Sequence, residues 1–226
     1  MRNWTFILTV AAAVASGATS ASAVSFDLTS NHCSDQAGCG APGTIFGTVN
    51  VTQSGPADGT GTVDITVHLN NPPYVYAMTG SADFSLFKFN ATGVSVGDIT
   101  VDQTVLGQTL TAAAGTFNGD GTGDFGFGIF CRLPAGQPQG TGCGNGIQTF
   151  SNDLVFHVAN ATIADLTAPN ANLNIFVADI GNSTNGATGP IDAHVPGPVV
   201  GAGLPGLVMA CSGLLALARR RRQQIA

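Results

Sequence analysis

The sequence contains no glutamate. All 13 of its acidic residues are aspartate, and Lys and Arg together number only seven in 226 residues. Stable surface helices draw on Glu, Lys and Arg, so this composition excludes a helical bundle. Between residues 24 and 194 the only cations are Lys88 and Arg132. Against the 13 aspartates, all within that stretch, they leave a formal charge of −11. Nucleic acid is thereby excluded as a partner, because phosphate binding needs clustered Lys and Arg. Aromatic side chains other than Phe are nearly missing too. Trp4 is the single Trp, and Tyr74 and Tyr76 are the only tyrosines, both beside Asn71-Pro72-Pro73. A row of exposed rings of the kind that stacks on sugars cannot be assembled from these.

Gly, Thr, Asn, Ala and Ser fill the space that charge leaves, and the apolar residues come in short alternating stretches. In "GTVDITVHLN", Val63, Ile65, Val67 and Leu69 face one way, while Asp64, Thr66 and His68 face the other. "DLVFHVAN" repeats the pattern with Leu154, Phe156 and Val158 inward and His157 outward. A period of two is the mark of a half-buried strand. "TIFGTVNVTQ", "ADFSLFKFN", "DITVDQ", "GTFNGDGTGDFGFGIF" and "LNIFVADIG" also read as strands, separated by Gly-Asp, Asn-Gly, Asn-Pro-Pro and Pro-Ala-Asp-Gly turns. No internal repeat is present. The expected fold is all-β: one antiparallel, jelly-roll-like β-sandwich over residues 24–180. "GNSTNGATGPIDAH", residues 181–194, has the composition of a flexible linker.

Five cysteines are present. Cys211 lies in an apolar run and behaves as a small apolar residue. If the chain is exported, Cys33, Cys39, Cys131 and Cys143 point to two disulfides, for which three connectivities exist. The local pairs Cys33–Cys39 and Cys131–Cys143 are favoured, because each brackets a Gly-rich loop. These spacings are not those of a zinc site.

The sharpest internal motif is Asn118-Gly-Asp120-Gly-Thr122-Gly-Asp124. It admits two readings. Alternating oxygens of Asn118, Asp120, Thr122 and Asp124 can wrap calcium, as at the start of an EF-hand loop; the bidentate Glu of such a loop is replaced by Ile129. The same residues also make a β-hairpin turn, with Gly supplying positive φ. Apart from calcium, no cofactor is implied. His32, His68, His157 and His194 do not cluster in the sequence. His68 and His157 fall on outward strand positions, where solvated side chains are expected. No nucleophile elbow, Cys/His arrangement or phosphate loop stands out, so no catalytic residues are assigned and an enzyme is not expected.

The two ends carry the clearest signals. Met1-Arg2-Asn3 is a short positive start, Trp4–Ala15 is mostly apolar, and Ala21-Ser22-Ala23 is an A-x-A cleavage site. Residues 1–23 therefore read as a signal peptide. At the other end, Val199–Ala218 is a run of 20 uncharged residues. As a helix at about 1.5 Å per residue it would span roughly 30 Å, the thickness of a bilayer core. Arg219, Arg220, Arg221 and Arg222 follow at once and would stop it with its C-terminus in the cytoplasm. Just ahead of it stands Val195-Pro196-Gly197-Pro198. Two prolines fix φ and push their predecessors to extended geometry, which gives an exposed strip that a protease can grip.

A leader, a small acidic domain, a Pro-x-Pro strip, one apolar helix and a terminal arginine cluster resemble the PEP-CTERM surface proteins of Gram-negative bacteria. The usual pattern has Glu between the prolines, where this chain has Gly197. The resemblance implies that residues 195–226 are a sorting tail handled by an exosortase, with the nucleophile for the cut in that enzyme. It also implies a non-catalytic protein at the cell surface or outside the cell, linked to exopolysaccharide and biofilm. The alternative is a carbohydrate- or calcium-binding module held permanently by the helix as a single-pass anchor.

Overall fold

The alternating stretches do form strands, and all pair antiparallel. A computed structural model describes residues 22–33, 38–78, 85–102, 104–105, 108–119, 121–132 and 146–195. The first half holds β1 (Ala23–Leu28), β2 (Ser30–Asn31), β3 (Gly47–Ser54), β4 (Thr62–Leu69), β5 (Tyr74–Met78), β6 (Ser85–Phe89), β7 (Ile99–Val101) and β8 (Thr104–Val105). The second half holds β9 (Gln108–Asn118), β10 (Asp124–Arg132), β11 (Gly146–Phe150), β12 (Leu154–Ala159), β13 (Asn174–Asn182) and β14 (Thr188–His194). One short α-helix, α1 (Ile163–Leu166), starts at Thr162, whose side chain accepts from the Asp165 N–H while Asp165 reaches back to the Thr162 N–H.

Two sheets result. The first runs β1-β3-β4-β12-β7. Its strands keep the strict alternation of buried and less buried residues seen in the sequence, as in β3, β4 and β12. The second has nine strands. β13 stands at its centre, with β14 along one edge and β2 beyond it. Its other edge is shared: Phe176–Ala178 pair with β6, and Ile180–Asn182 pair with β5. From β6 the sheet continues through β10 and β9 to β8, and from β5 to β11. Every residue of β6 and β13 is buried. Burial on both faces erases alternation and leaves the near-continuous apolar run of "NIFVADI".

The sheets meet through phenylalanines. Phe26 and Phe156 come from the first sheet, and Phe87, Phe89, Phe127 and Phe176 from the second. Phe87 lies 5.7 Å from Phe176 and 5.9 Å from Phe156, and Phe89 lies 5.2 Å from Phe156 and 5.6 Å from Phe127. Phe26 meets Phe176 edge-on at 5.4 Å. Such ring pairs add about 0.5–1.5 kcal/mol each beyond the area they bury.

Residues 181–194 are not a flexible linker. Thr184-Asn185-Gly186 turns the chain, Gly186 taking φ +78°, and β14 returns along β13 with Gly189–Ala193 buried. Gly189 passes so close to Cys33 that a Cβ on it would lie 2.5 Å from the Cys33 Cα. The domain therefore extends to His194.

Phe87 bridges both sheets, so Phe87→Ala should cost about 3–5 kcal/mol as cavity and lost transfer free energy combine. Urea melts read at the unfolding midpoint will check this; a loss under about 1 kcal/mol would mean that the rings do not hold the sheets together.

Candidate functional site

The outward face of the first sheet is where side chains of distant segments come together. Pairing places Asp64 on β4 directly opposite His157 on β12, and His157 opposite Thr100 on β7. Because strand side chains alternate with a period of two, all three point away from the core. The imidazole closes a chain of contacts. Its Nδ1 lies 2.7 Å from Asp64 Oδ1, and its Nε2 contacts Asp102 Oδ2 just beyond β7. The Ser54 hydroxyl donates to the other oxygen of Asp64. Further along β4, His68 Nδ1 lies 2.6 Å from Asp153 Oδ1. Thr48, Asn50, Thr52 and Thr66 complete the face on β3 and β4.

The hydrogen bond to Asp64 is the main reason the His157 ring holds its proton above the usual histidine range. Asp102 adds to the effect by hydrogen bond and charge, and partial burial opposes it. A protonated ring donates from both nitrogens, one to each carboxylate. Each ring nitrogen thus faces a carboxylate from a different strand segment. The Ser54 hydroxyl is aimed at a carboxylate and not at the ring, which is not the order of a Ser–His–Asp triad. Among the described residues no group of three or more His, Cys or Asp side chains is placed to hold a metal ion. What this arrangement does is tie edge strand β7 to the middle of the sheet through charge.

The same device recurs. His32 Nε2 lies 2.8 Å from Asp192 Oδ2, and His194 Nε2 lies 2.9 Å from Asp192 Oδ1 and 2.8 Å from the Ser30 hydroxyl. All four histidines thus contact an aspartate; His68 and His157 lie on the outward face as their strand positions implied, and each also meets a carboxylate there. In a domain short of Lys and Arg, histidine is a recurrent partner of aspartate. Lys88 itself is fully buried, with Nζ 3.2 Å from Asp179 Oδ2. Its sequence context, an apolar strand with one lysine, carries that signal; the aspartate partners become visible only with the register.

The residues singled out in the sequence fall elsewhere. Asn118, Thr122 and Asp124 form the β9–β10 turn, and Asp120 lies outside the described residues. Asn118 Nδ2 donates to Asp124 Oδ1 at 3.0 Å, and the buried Thr122 hydroxyl donates to the Gly119 carbonyl at 2.7 Å. The Thr122 carbonyl accepts from Asn170 Nδ2 and Asn174 Nδ2, both at 2.8 Å, and the Gly121 carbonyl accepts from Asn172 Nδ2 at 3.2 Å. Gly121 and Gly123 take φ +94° and +91°. The Asp124 carboxylate and the Thr122 and Gly121 carbonyls are thus engaged by amides, as in a hairpin turn. Cys33 and Cys39 are joined, with Cα atoms 5.6 Å apart. Cys131 is also disulfide-bonded, while Cys143 lies outside the described residues. Val195 donates its N–H to the Leu173 carbonyl at 3.1 Å. Pro196, Gly197, Pro198 and Arg219–Arg222 lie outside the described residues. Among those described, no helix is long and apolar enough to cross a membrane.

The folded His157 holds its proton more tightly than an unfolded one, whose pKa is about 6.5. Its contribution to stability is therefore fully present below about pH 6.5 and is lost as pH rises through the folded value. The ring is 37% exposed, so solvent screening keeps the effect under about 1 kcal/mol. His157→Gln should destabilise the protein more at pH 5.5 than at pH 8.5 in paired urea melts. An equal loss at both values would show that the ring acts through packing alone.

No family model matches the chain, and no curated protein or solved structure matches it.

Proposed function

We propose that this is a non-catalytic, exported protein of the cell surface or extracellular matrix, sorted through a PEP-CTERM-like tail. The carrying observation is the order of segments: a positive, apolar leader ending in A-x-A, an acidic domain, Val195-Pro196-Gly197-Pro198, a 20-residue apolar run and four arginines. In this reading residues 1–23 are removed on export. The helix over 199–218 holds the precursor in the inner membrane, with Arg219–Arg222 in the cytoplasm. An exosortase-type enzyme then acts at the proline strip.

The fold supports this route. β14 ends at His194, one residue before the motif, and the Val195 N–H is still tied to Leu173. The proline strip therefore leaves directly from a rigid sheet. The engagement of both imidazole nitrogens by carboxylates in the Asp–His–Asp arrangement supports a structural role for that face. Its polar Thr, Asn and Asp surface suits contact with hydrated exopolysaccharide.

A second reading, a carbohydrate-binding module held permanently by the helix, is favoured by the same flat face of hydroxyls, amides and carboxylates. The two readings part at the tail. Intact mass of the mature protein, after separation of membrane, envelope and medium fractions, distinguishes them. We expect a C-terminus between Pro196 and Val200, outside the inner membrane. Retention of Arg219–Arg222 in the inner membrane would overturn the sorting route and establish the permanent anchor.

A further inference from the structure

The second sheet buries a lysine and an aspartate on the face turned away from the phenylalanine core. Lys88 on β6 pairs in register with Val177 on β13, and Asp179 lies two residues further along the same face. Lys88 Nζ and Asp179 Oδ2 are 3.2 Å apart, with side-chain exposures of 0% and 1%. Opposite Lys88 on its other side is Gly128 of β10. A Cβ there would lie 2.8 Å from the Phe130 ring and 3.3 Å from the Phe117 ring, so these two rings cover the sheet beside the lysine. The second carboxylate of this face, Asp192, stands opposite Val177 and is met by His32 and His194.

A buried ion pair is a poor way to stabilise a sheet. Two ions must be stripped of water, and apolar side chains of the same size often do as well or better. This chain has two cations in its whole domain and commits one of them here. A primary amine held against a carboxyl in a site closed to water is, however, a reactive pair. Fixing two groups in contact replaces a bimolecular encounter with an effective concentration of about 10⁵ M or more. Forming an amide also removes both charges from the interior without leaving either one unpaired.

We propose that Lys88 and Asp179 are joined by an intramolecular amide, made by the folded chain itself. A proton passes from the Lys88 ammonium to the Asp179 carboxylate. The freed lone pair of Nζ attacks Cγ, so that the Nζ–Cγ bond forms. A Cγ–O bond breaks, and its oxygen leaves with the proton it received and one more from the amine, as a single water. Nothing is oxidised or reduced, and no co-reactant is needed. The bond would close a loop between residues 91 apart in sequence. It would lock β6 to β13 and so fasten the middle of the chain to its last hairpin. A protein exposed outside the cell would then resist force and proteolysis beyond what its sheets alone provide.

Trypsin makes the test direct, because Lys88 and Arg132 are the only cleavage points in the domain. The full chain is expressed, folded, then denatured and reduced, digested and analysed by mass spectrometry. We expect no cut after Lys88, and a branched peptide containing Lys88 and Asp179 that is lighter than its parts by one water. Asp179→Asn should give the same branched peptide with loss of one ammonia. Asp179→Ala should restore the full mass and the cut at Lys88. Dehydration at Asp58-Gly59 or Asp120-Gly121 would also remove one water, but it leaves Lys88 cleavable. A wild-type chain of full linear mass that is cut after Lys88 would overturn the proposal, and so would a missing water mapped to those Asp-Gly sites. The wild-type measurement decides the matter even if a variant fails to fold.

Discussion

β13 is the strand on which the rest of the structure depends. It has neighbours along both edges and is buried on both faces. β14 occupies one edge, and β6 and β5 divide the other. Its core-facing residues Phe176, Ala178 and Ile180 are fully buried in the cluster that joins the sheets, while Val177 and Asp179 face the opposite way. The two ends of the strand also hold loops. Asn174 donates to the Thr122 carbonyl and fixes the β9–β10 turn, and Asn182 donates to the Cys39 carbonyl at 2.7 Å and fixes the disulfide loop. Buried amides that donate to backbone carbonyls are costly to lose, because the carbonyl cannot turn to water instead. One strand thus sets the position of both segments that looked like separate features in the sequence.

The second constraint is electrostatic. A domain with 13 aspartates and two cations must place its carboxylates where they repel least or find donors. It uses hydroxyls, as at Ser54 and Asp64, and it uses every histidine. The result is a sheet face on which carboxylates of different strands are bridged by imidazole rings. Asp64, His157 and Asp102 come from three different segments. Their contact therefore reports the pairing of β4, β12 and β7 and fastens it at the same time.

The half-exposed strands were legible because one face of each meets water. Val63, Ile65, Val67 and Leu69 in β4, and Leu154, Phe156 and Val158 in β12, kept a period of two. β13 was legible as a strand by its apolar run, but not as the centre of a sheet. β14 was missed for a physical reason. "TGPIDAH" contains Gly189, Pro190 and Asp192, residues that avoid strands when their environment is water. Here Gly189 is required by the approach of Cys33, and Asp192 is answered by two imidazoles. Both reasons are tertiary and leave no trace in local composition. The Asp–His pairs other than His194–Asp192 were hidden in the same way, since they join residues 55 to 160 apart. The Cys33–Cys39 bond and the Asn118–Asp124 turn were legible because they are local.

Native-state hydrogen exchange resolved by residue tests the central role of β13 most directly. Protection in a sheet should peak where a strand is paired on both edges and buried on both faces. The amides of Phe176–Ile180 should exchange only through global unfolding, with protection at least equal to that of β3 and β4. Exchange of these amides through a local opening, ahead of β3 and β4, would contradict that role and make the first sheet the element that holds the fold.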